Sequence, residues 1–337
     1  MRLLFLAGRD PDYLQDAVYH GLATLLGPEN VVEHPENERF HGAVPPDPRV
    51  PMLSFDSPRA STRDLAELLY WADAIVIASL RDSVIEYVRR VLESKPRKPV
   101  VVVDGEDHPY VRGIAPSVDA YFKRETLRRA IRLRARMPLR RWYHRRNYPD
   151  RWTDPLRREI DVATAGSRNV VPLPFSVIDT GFQPAAEKDV DVTFLARPTS
   201  PERAAVTDAL RALGRDGAVV QSAPESALPW ADYMRLLSRS KIGVSVRGLG
   251  YDTYRYWEIP YAGALLLAET PQTVIRDNFV DGREAVYAPV ERLADRAREL
   301  LDADTREIAA AGRRKLLESH TSVHRARAVL QRIEALA

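Results

Sequence analysis

Three groups of side chains in this 337-residue chain have the types and spacing to do chemistry. Glu258 follows two cations, Arg247 and Arg255, which stand on either side of the stretch Tyr251-Asp252-Thr253-Tyr254. A carboxylate is an odd ligand for phosphate but suits a ribose diol, and the two guanidiniums could neutralise a diphosphate. The blander reading makes Glu258 a complement to a helix N-terminus. Asp104, Glu106, Asp107 and His108 form a second group, which could supply a general base for an acceptor hydroxyl. Its blander reading is a loop that caps the following turn. Arg197 and Arg203 form the third, on either side of Pro198-Thr199-Ser200-Pro201, a strand-turn-helix pattern able to cradle a diphosphate. Their blander reading is capping and ordinary surface charge, which would explain Arg203 equally well.

Such groups need elements that bring them to one edge of a sheet. Leu3–Leu6 reads as a strand running into Gly8 and Arg9, followed by a helix over Tyr13–Leu26. Residues 34–60 are rich in proline and polar groups and read as an irregular excursion. Helices over Thr62–Trp71 and Ser83–Ser94 then alternate with the strands Ala74–Ala78 and Val100–Val103, and Tyr121–Glu125 closes another small strand. In the second half Val190–Leu195, Ala218–Gln221, Ile242–Val246 and Ala264–Ala268 read as strands. Between them run helices over Ala204–Leu213, Trp230–Ser238 and Arg255–Tyr261. Pro260 is acceptable only in the first turn of the last of these, and Gly263 ends it. Helices over Gln272–Phe279, Val290–Leu301, Arg306–Ser319 and Val323–Ile333 complete the reading. Strands alternating with helices imply parallel sheets with right-handed crossovers. The fold class is therefore α/β, with two Rossmann-like domains facing each other across a cleft. The first spans 1–178 and the second 179–337, with the proline-bearing Val170–Val177 as connector. Both the Asp104–His108 loop and the Gly248–Glu258 stretch fall at carboxyl ends of strands, where open α/β sheets bind ligands.

Composition sets the remaining bounds. The chain is 45% hydrophobic and 29% charged, ordinary for a globular protein with two cores. It contains no cysteine, which excludes disulfides, thiolate metal sites and cysteine nucleophiles. Met1–Gly8 reads as a first strand rather than a signal peptide, and no run is long enough to span a membrane, so a cytoplasmic protein is expected. The net charge of +3 hides one concentration: eleven Lys and Arg lie between Lys123 and Arg146, with Glu125 as the only acid among them. Running on through Trp142, Tyr143, Tyr148 and Trp152, this segment could grip phosphates, stack on bases or lie on an anionic membrane surface. It could also be a solvated face. Its expected place is beside the acceptor side of the first domain, together with Gly8, Arg9, Arg140 and Arg141.

From Tyr254 to about Leu330 the chain resembles the C-terminal half of GT-B glycosyltransferases of the group-1 type, the branch that includes CgeB-like proteins. The resemblance rests on Arg255-Tyr256-Trp257-Glu258 with Ala262-Gly263, then Phe279-Val280-Asp281-Gly282-Arg283-Glu284-Ala285-Val286, Ile308-Ala309-Ala310-Ala311-Gly312 and Ser319-His320-Thr321. It implies that Glu258 holds the ribose of a nucleotide-sugar donor and that Arg197, with Arg203 in a lesser part, touches the diphosphate. Arg247, Gly248, Gly250, Tyr251, Asp252, Arg255 and Gly263 complete the donor side. It also implies a terminal helix that crosses back to the first domain. Eight positions before the glutamate, where common retaining members carry an acid, stands Gly250, with Asp252 near but out of step. That leaves donor sugar and stereochemistry open. Asp189 and Asp191 have the spacing of a metal-binding pair but precede their strand, and read as structural. The expectation is a metal-independent, cofactor-free glycosyl transfer from a nucleotide-diphosphate sugar to an unidentified acceptor hydroxyl. Arg197, Arg247 and Arg255 would stabilise the departing diphosphate. The alternatives are a non-catalytic nucleotide-sugar or nucleic-acid binding protein, or a GT-B-shaped nucleotide-sugar epimerase.

Overall fold

Runs such as Leu3-Leu4-Phe5-Leu6 and Val100-Val101-Val102-Val103 carry no polar face, which suits strands covered on both sides. The computed structural model describes residues 1–41, 64–129, 153–167, 169–196, 200–215, 219–222 and 228–337, and in it these runs form two parallel sheets. The first has six strands: β1 (Leu3–Leu6), β2 (Val31–His34), β3 (Ala74–Ile77), β4 (Val100–Asp104), β6 (Ala120–Lys123) and β8 (Val170–Pro172), in the order β2-β1-β3-β4-β6-β8. The second has five: β9 (Val190–Phe194), β10 (Val220–Ser222), β11 (Ser240–Ser245), β12 (Leu265–Glu269) and β13 (Val286–Ala288), in the order β10-β9-β11-β12-β13. A small antiparallel pair, β5 (Tyr110–Arg112) with β7 (Glu159–Val162), stands apart. Each large sheet reverses its strand order once, between β1 and β3 and between β9 and β11. Those reversals open the crevices that matter for ligands.

The helices of the first sheet are α1 (Tyr13–Leu26), α2 (Leu65–Trp71) and α3 (Ile85–Glu93). Those of the second are α4 (Pro201–Arg215), α5 (Trp230–Arg239), α6 (Tyr254–Tyr261), α7 (Leu293–Leu301) and α8 (Arg306–Ser319). α8 packs so closely on the turn before β13 that a Cβ at Gly312 would lie 2.3 Å from the Glu284 carbonyl. The last helix, α9 (Ser322–Glu334), leaves that domain and lies against α1. At Gly21 a Cβ would come within 2.2 Å of the Ser322 carbonyl, so the two helices touch backbone to backbone.

Three further features tie the halves together. The connector meets the returning chain where Ser322 N–H donates to the Val177 carbonyl at 2.7 Å. Arg325 of α9 is 7% exposed, donates to the Pro174 and Phe175 carbonyls at 2.9 and 3.0 Å, and lies over the Trp257 ring. On the opposite flank, Val274 N–H donates to the Thr126 carbonyl at 2.7 Å and Arg128 N–H to that of Gln272 at 2.9 Å. One apolar cluster accordingly runs from Phe5, Tyr19 and Phe122 through Phe175 to Trp257 and Leu266.

Several expectations need correction. Gln272–Phe279 is not a helix; its backbone pairs with Thr126–Arg128, a long-range partnership that local pattern does not reveal. Val170–Pro172 is the edge strand of the first sheet rather than linker. α6 begins at Tyr254, which puts Pro260 near its C-terminal end and Glu258 in the second turn instead of the first. Proline survives there because only the Tyr256 carbonyl loses its helical amide partner, one turn from the end. Most of the 34–60 excursion and of the Lys123–Arg146 run lies outside the described residues.

Candidate active site

The reversal between β9 and β11 gathers two arginines. Arg255, from the first turn of α6, donates through Nε to the Leu195 carbonyl just past β9. Arg203, from the start of α4, donates through Nε to the Arg247 carbonyl at 2.9 Å and through Nη2 to that of Val246 at 3.3 Å, just past β11. The loop above it comes close, since a Cβ at Gly248 would lie 2.7 Å from Arg203 Nη2. Burial, then the neighbouring charge of Arg255, depress the Arg203 guanidinium to about 10, with Asp107 across the cleft acting in the opposite direction. Two cations that disfavour each other's charge would be relieved by an anion placed between them.

Glu258 stands one helical turn beyond Arg255. The Trp230 indole at the start of α5 donates to its Oε1 at 3.0 Å. Burial pushes this carboxyl up to about 7, although Arg255 and the indole both favour its ionised form. It lines a cavity of about 440 Å³ between the domains, opposite Tyr13 and Asp16 of α1 and beside Ser176 of the connector. Asp16 is likewise raised to about 7 by burial, against the pull of Arg39 at 2.7 Å. The Ser176 and Tyr254 hydroxyls are buried there with no hydrogen-bond partner among the described residues. A cavity with aromatic walls, two carboxyls and two available hydroxyls matches a ligand bearing vicinal hydroxyl groups.

The loop between these groups is held from outside its own domain. Glu125, two residues past β6, accepts the N–H groups of Tyr251 at 3.1 Å and Asp252 at 3.0 Å. A Cβ at Gly250 would lie 2.3 Å from Glu125 Oε1, so a first-domain carboxylate fills the space beside the residue where the resembling enzymes carry an acid. Other expected donor residues serve the scaffold. Asp252 accepts Phe175 N–H at 2.6 Å and the Trp257 indole at 2.8 Å, fastening the connector. Arg247 bridges Glu269 at 2.6 Å and Glu202 at 2.9 Å and lies over the Tyr251 ring, so its charge is already balanced. Gly263, at φ +74, ends α6 where a Cβ would press on Pro184.

On the first domain, Gly8 sits at the reversal between β1 and β3, tied to Gln15 and Asn37, and a Cβ there would meet Ser79 Oγ at 2.7 Å. Arg9 beside it is exposed. Of the Asp104–His108 loop, Asp104, Gly105 and Glu106 line a cavity of about 480 Å³ shared with Asp12, Ser79, Arg81 and Arg157. Asp104 is not available as a base. Burial alone would raise its pKa, but Lys123 at 2.9 Å and Arg112 outweigh that and hold it below the usual value, and Tyr121 donates to its other oxygen. His108 Nε2 lies 2.6 Å from Arg112 Nη2, where it must accept, which removes that nitrogen from base duty. Asp107 pairs with Arg124. Glu106 reaches the cavity with a side chain 34% exposed. Both loops open on one cleft: Asp107 acts on Arg203, and Arg124 Nη2 would lie 3.0 Å from a Cβ at Gly250. Arg197, Arg140 and Arg141 fall outside the described residues. Asp189 and Asp191 pair with Arg239 and Lys241, in keeping with a structural role. Among the described residues no group of three or more His, Cys, Asp and Glu is arranged to hold a metal.

Two facing Rossmann-like sheets with ligand crevices turned toward one cleft define the GT-B fold. The model of a family described as glycosyl transferase-like matches residues 203–331, from Arg203 through Glu258 to α9. No curated protein matches the chain in sequence. Among solved structures, a glycosyltransferase from Rickettsia africae aligns at TM-score 0.57 and 9% identity over 99% of this chain and 98% of its own. Alr3699/HepE of Anabaena, in complex with UDP and glucose, aligns at 0.57 and 10% over 99% and 100%. An alpha-glucosyltransferase in complex with UDP and a 13-mer DNA aligns at 0.56 and 10% over 99% of both chains.

Sequence reasoning missed Trp230, Asp16, Ser176 and Arg124. Trp230 and Asp16 stand in no motif, Ser176 lies in the connector and Arg124 in the basic run, and each reaches the site only through tertiary packing. Glu125 did leave a signal, as the single acid in a basic run.

Proposed function

We propose that this protein transfers a glycosyl group from a nucleoside-diphosphate sugar to an acceptor hydroxyl, without a metal ion or cofactor. The observation that carries this reading is the convergence of Arg203 and Arg255 on the β9/β11 reversal, with the buried Glu258 one turn away. The arginines, joined by Arg197, three positions after β9 in the sequence, would take up the charge that develops on the departing diphosphate. Glu258 would accept the ribose hydroxyls. The first-domain cavity would present the acceptor, with Glu106 as the base. The family match across this half of the chain and the UDP named with two of the similar structures support the reading. A place in the CgeB-like branch, a cytoplasmic setting and an anionic acceptor met through Lys123–Arg146 belong to the same proposal. For the last, the DNA named with one similar structure is the supporting observation.

Thermal unfolding with UDP, GDP and ADP provides the first test, since a ligand of the folded state raises the melting temperature. At least one should do so, and Glu258→Ala should weaken its binding by about 1–3 kcal/mol, the cost of losing hydrogen bonds to a charged group. If no nucleoside diphosphate binds the folded wild-type chain, the transferase reading falls. If the matching nucleotide sugar binds but is never consumed, with or without acceptor hydroxyls, the cleft binds without turnover.

A further inference from the structure

We propose that Glu125 is a positioning residue through which the first domain sets the shape of the Gly248–Asp252 loop, and so the readiness of the second domain to bind a nucleotide. The name of the loop's ligand rests on the function proposed above; the mechanical coupling does not. After β6 the chain turns sharply, with Thr126 Oγ1 donating to the Lys123 carbonyl at 3.0 Å. The turn carries Glu125 out of its own sheet to the loop after β11, where its two oxygens take the successive amides of Tyr251 and Asp252. Successive N–H groups converging on one anion form a compact anion-binding concavity. Here the protein supplies the acceptor itself, a carboxyl that burial raises to about 7 while Arg124 and the two amides favour its ionised form.

The contact is built from both sides. Gly250 provides the room, since any Cβ there would collide with the carboxylate. Arg124 flanks Glu125 at 3.4 Å, pairs with Asp107 and covers the Phe175 ring at 4.1 Å. The backbone that follows is pinned to residues 272 and 274, so the segment is anchored on both flanks of the crevice. Glu125 is 1% exposed with both oxygens engaged, which excludes direct contact with a ligand. Its effect passes through the loop. Val246 and Arg247 hold Arg203 by their carbonyls, and the Gly248 amide donates to the Gly250 carbonyl at 2.9 Å. Fixing residues 250–252 therefore fixes the shelf that aims Arg203.

The test uses the full chain and three variants: Glu125→Ala, Glu125→Gln and Gly250→Ala. Amide hydrogen exchange at Tyr251 and Asp252 reports the loop, calorimetry with UDP reports the site, and denaturant midpoints report the fold. Glu125→Ala should speed exchange at both amides and weaken UDP binding by about tenfold, the scale of losing charge-assisted hydrogen bonds. Glu125→Gln, which keeps an acceptor oxygen, should recover part of both effects, and Gly250→Ala should reproduce them by displacing the carboxylate. Ile85→Val, in the first-domain core away from the cleft, controls for a general loss of stability. The proposal is overturned if Glu125→Ala leaves exchange or UDP affinity at the wild-type value. It is equally overturned if Ile85→Val weakens UDP binding in proportion to its stability loss as strongly. Should wild type not bind UDP, the donor assignment fails separately, and exchange at the two amides alone decides the coupling.

Discussion

Glu258 is an acid whose surroundings keep it near neutrality, and that makes it testable by pH. Its carboxyl is raised to about 7, chiefly by burial, so the folded state binds this proton more tightly than the unfolded chain does. The stability it contributes is complete below the ordinary carboxyl value and is lost as pH rises through 7. Glu258→Gln should therefore gain on wild type by about 1 kcal/mol between pH 6 and pH 8, read from urea unfolding at both. Ligand affinity should move the other way. An ionised carboxylate is the better acceptor for ribose hydroxyls, so UDP should bind wild type more weakly at pH 6 than at pH 8, and the glutamine variant should show little difference. Asp104 makes the opposite case, an acid committed to Lys123. Lys123→Met leaves that carboxylate buried without its cation and should cost about 3–5 kcal/mol of stability. A loss below 1 kcal/mol would show that the pair is not what holds the carboxyl end of β4. At this scale the sequence exposes clusters but not partners. Asp104 and His108 are conspicuous as a group, yet Lys123 and Arg112, which disarm them, are distant in sequence or unremarkable beside them.

Whole elements were legible wherever burial on both faces leaves a continuous apolar run. β1, β3, β4, β11 and β12 stand within a residue or two of their expected limits. Elements defined by a distant partner were not legible. β8 is three residues long and exists because β6 lies beside it, and residues 272–274 are extended because Thr126–Arg128 pair with them. Helix contacts offer a sharper test than helix limits. Gly21→Ala would push a methyl to 2.2 Å from the Ser322 carbonyl and force α1 from α9, at a cost of about 1–3 kcal/mol or more. Gly166→Ala, with nothing within 4 Å of the new methyl, is the matched control and should change stability by less than about 0.5 kcal/mol. Equal denaturation midpoints for the two variants would contradict the close packing of α1 on α9.

Across the whole molecule the two sheets are fastened at the connector, at α9 and at the Thr126–Arg128 brace. A cleft tied on both flanks should open less than one hung on a single linker. X-ray scattering with and without saturating UDP should accordingly show little change in radius of gyration for wild type, and a larger change once Glu125→Ala weakens one tie. The return of α9 has a different consequence, which concerns the order in which the protein is made. The face of α1 around Gly21 is complete early, but the helix that covers it is synthesised only after the sheet and other helices of the second domain. At about 5–20 residues per second, the interval between the connector and the end of α9 is roughly 10–30 s. Throughout that time the nascent first domain carries an uncovered apolar helix face, a site that invites chaperone capture or misassembly. A fragment of residues 1–180 should therefore aggregate when expressed alone, and a peptide of residues 319–337 supplied with it should restore a folded first domain.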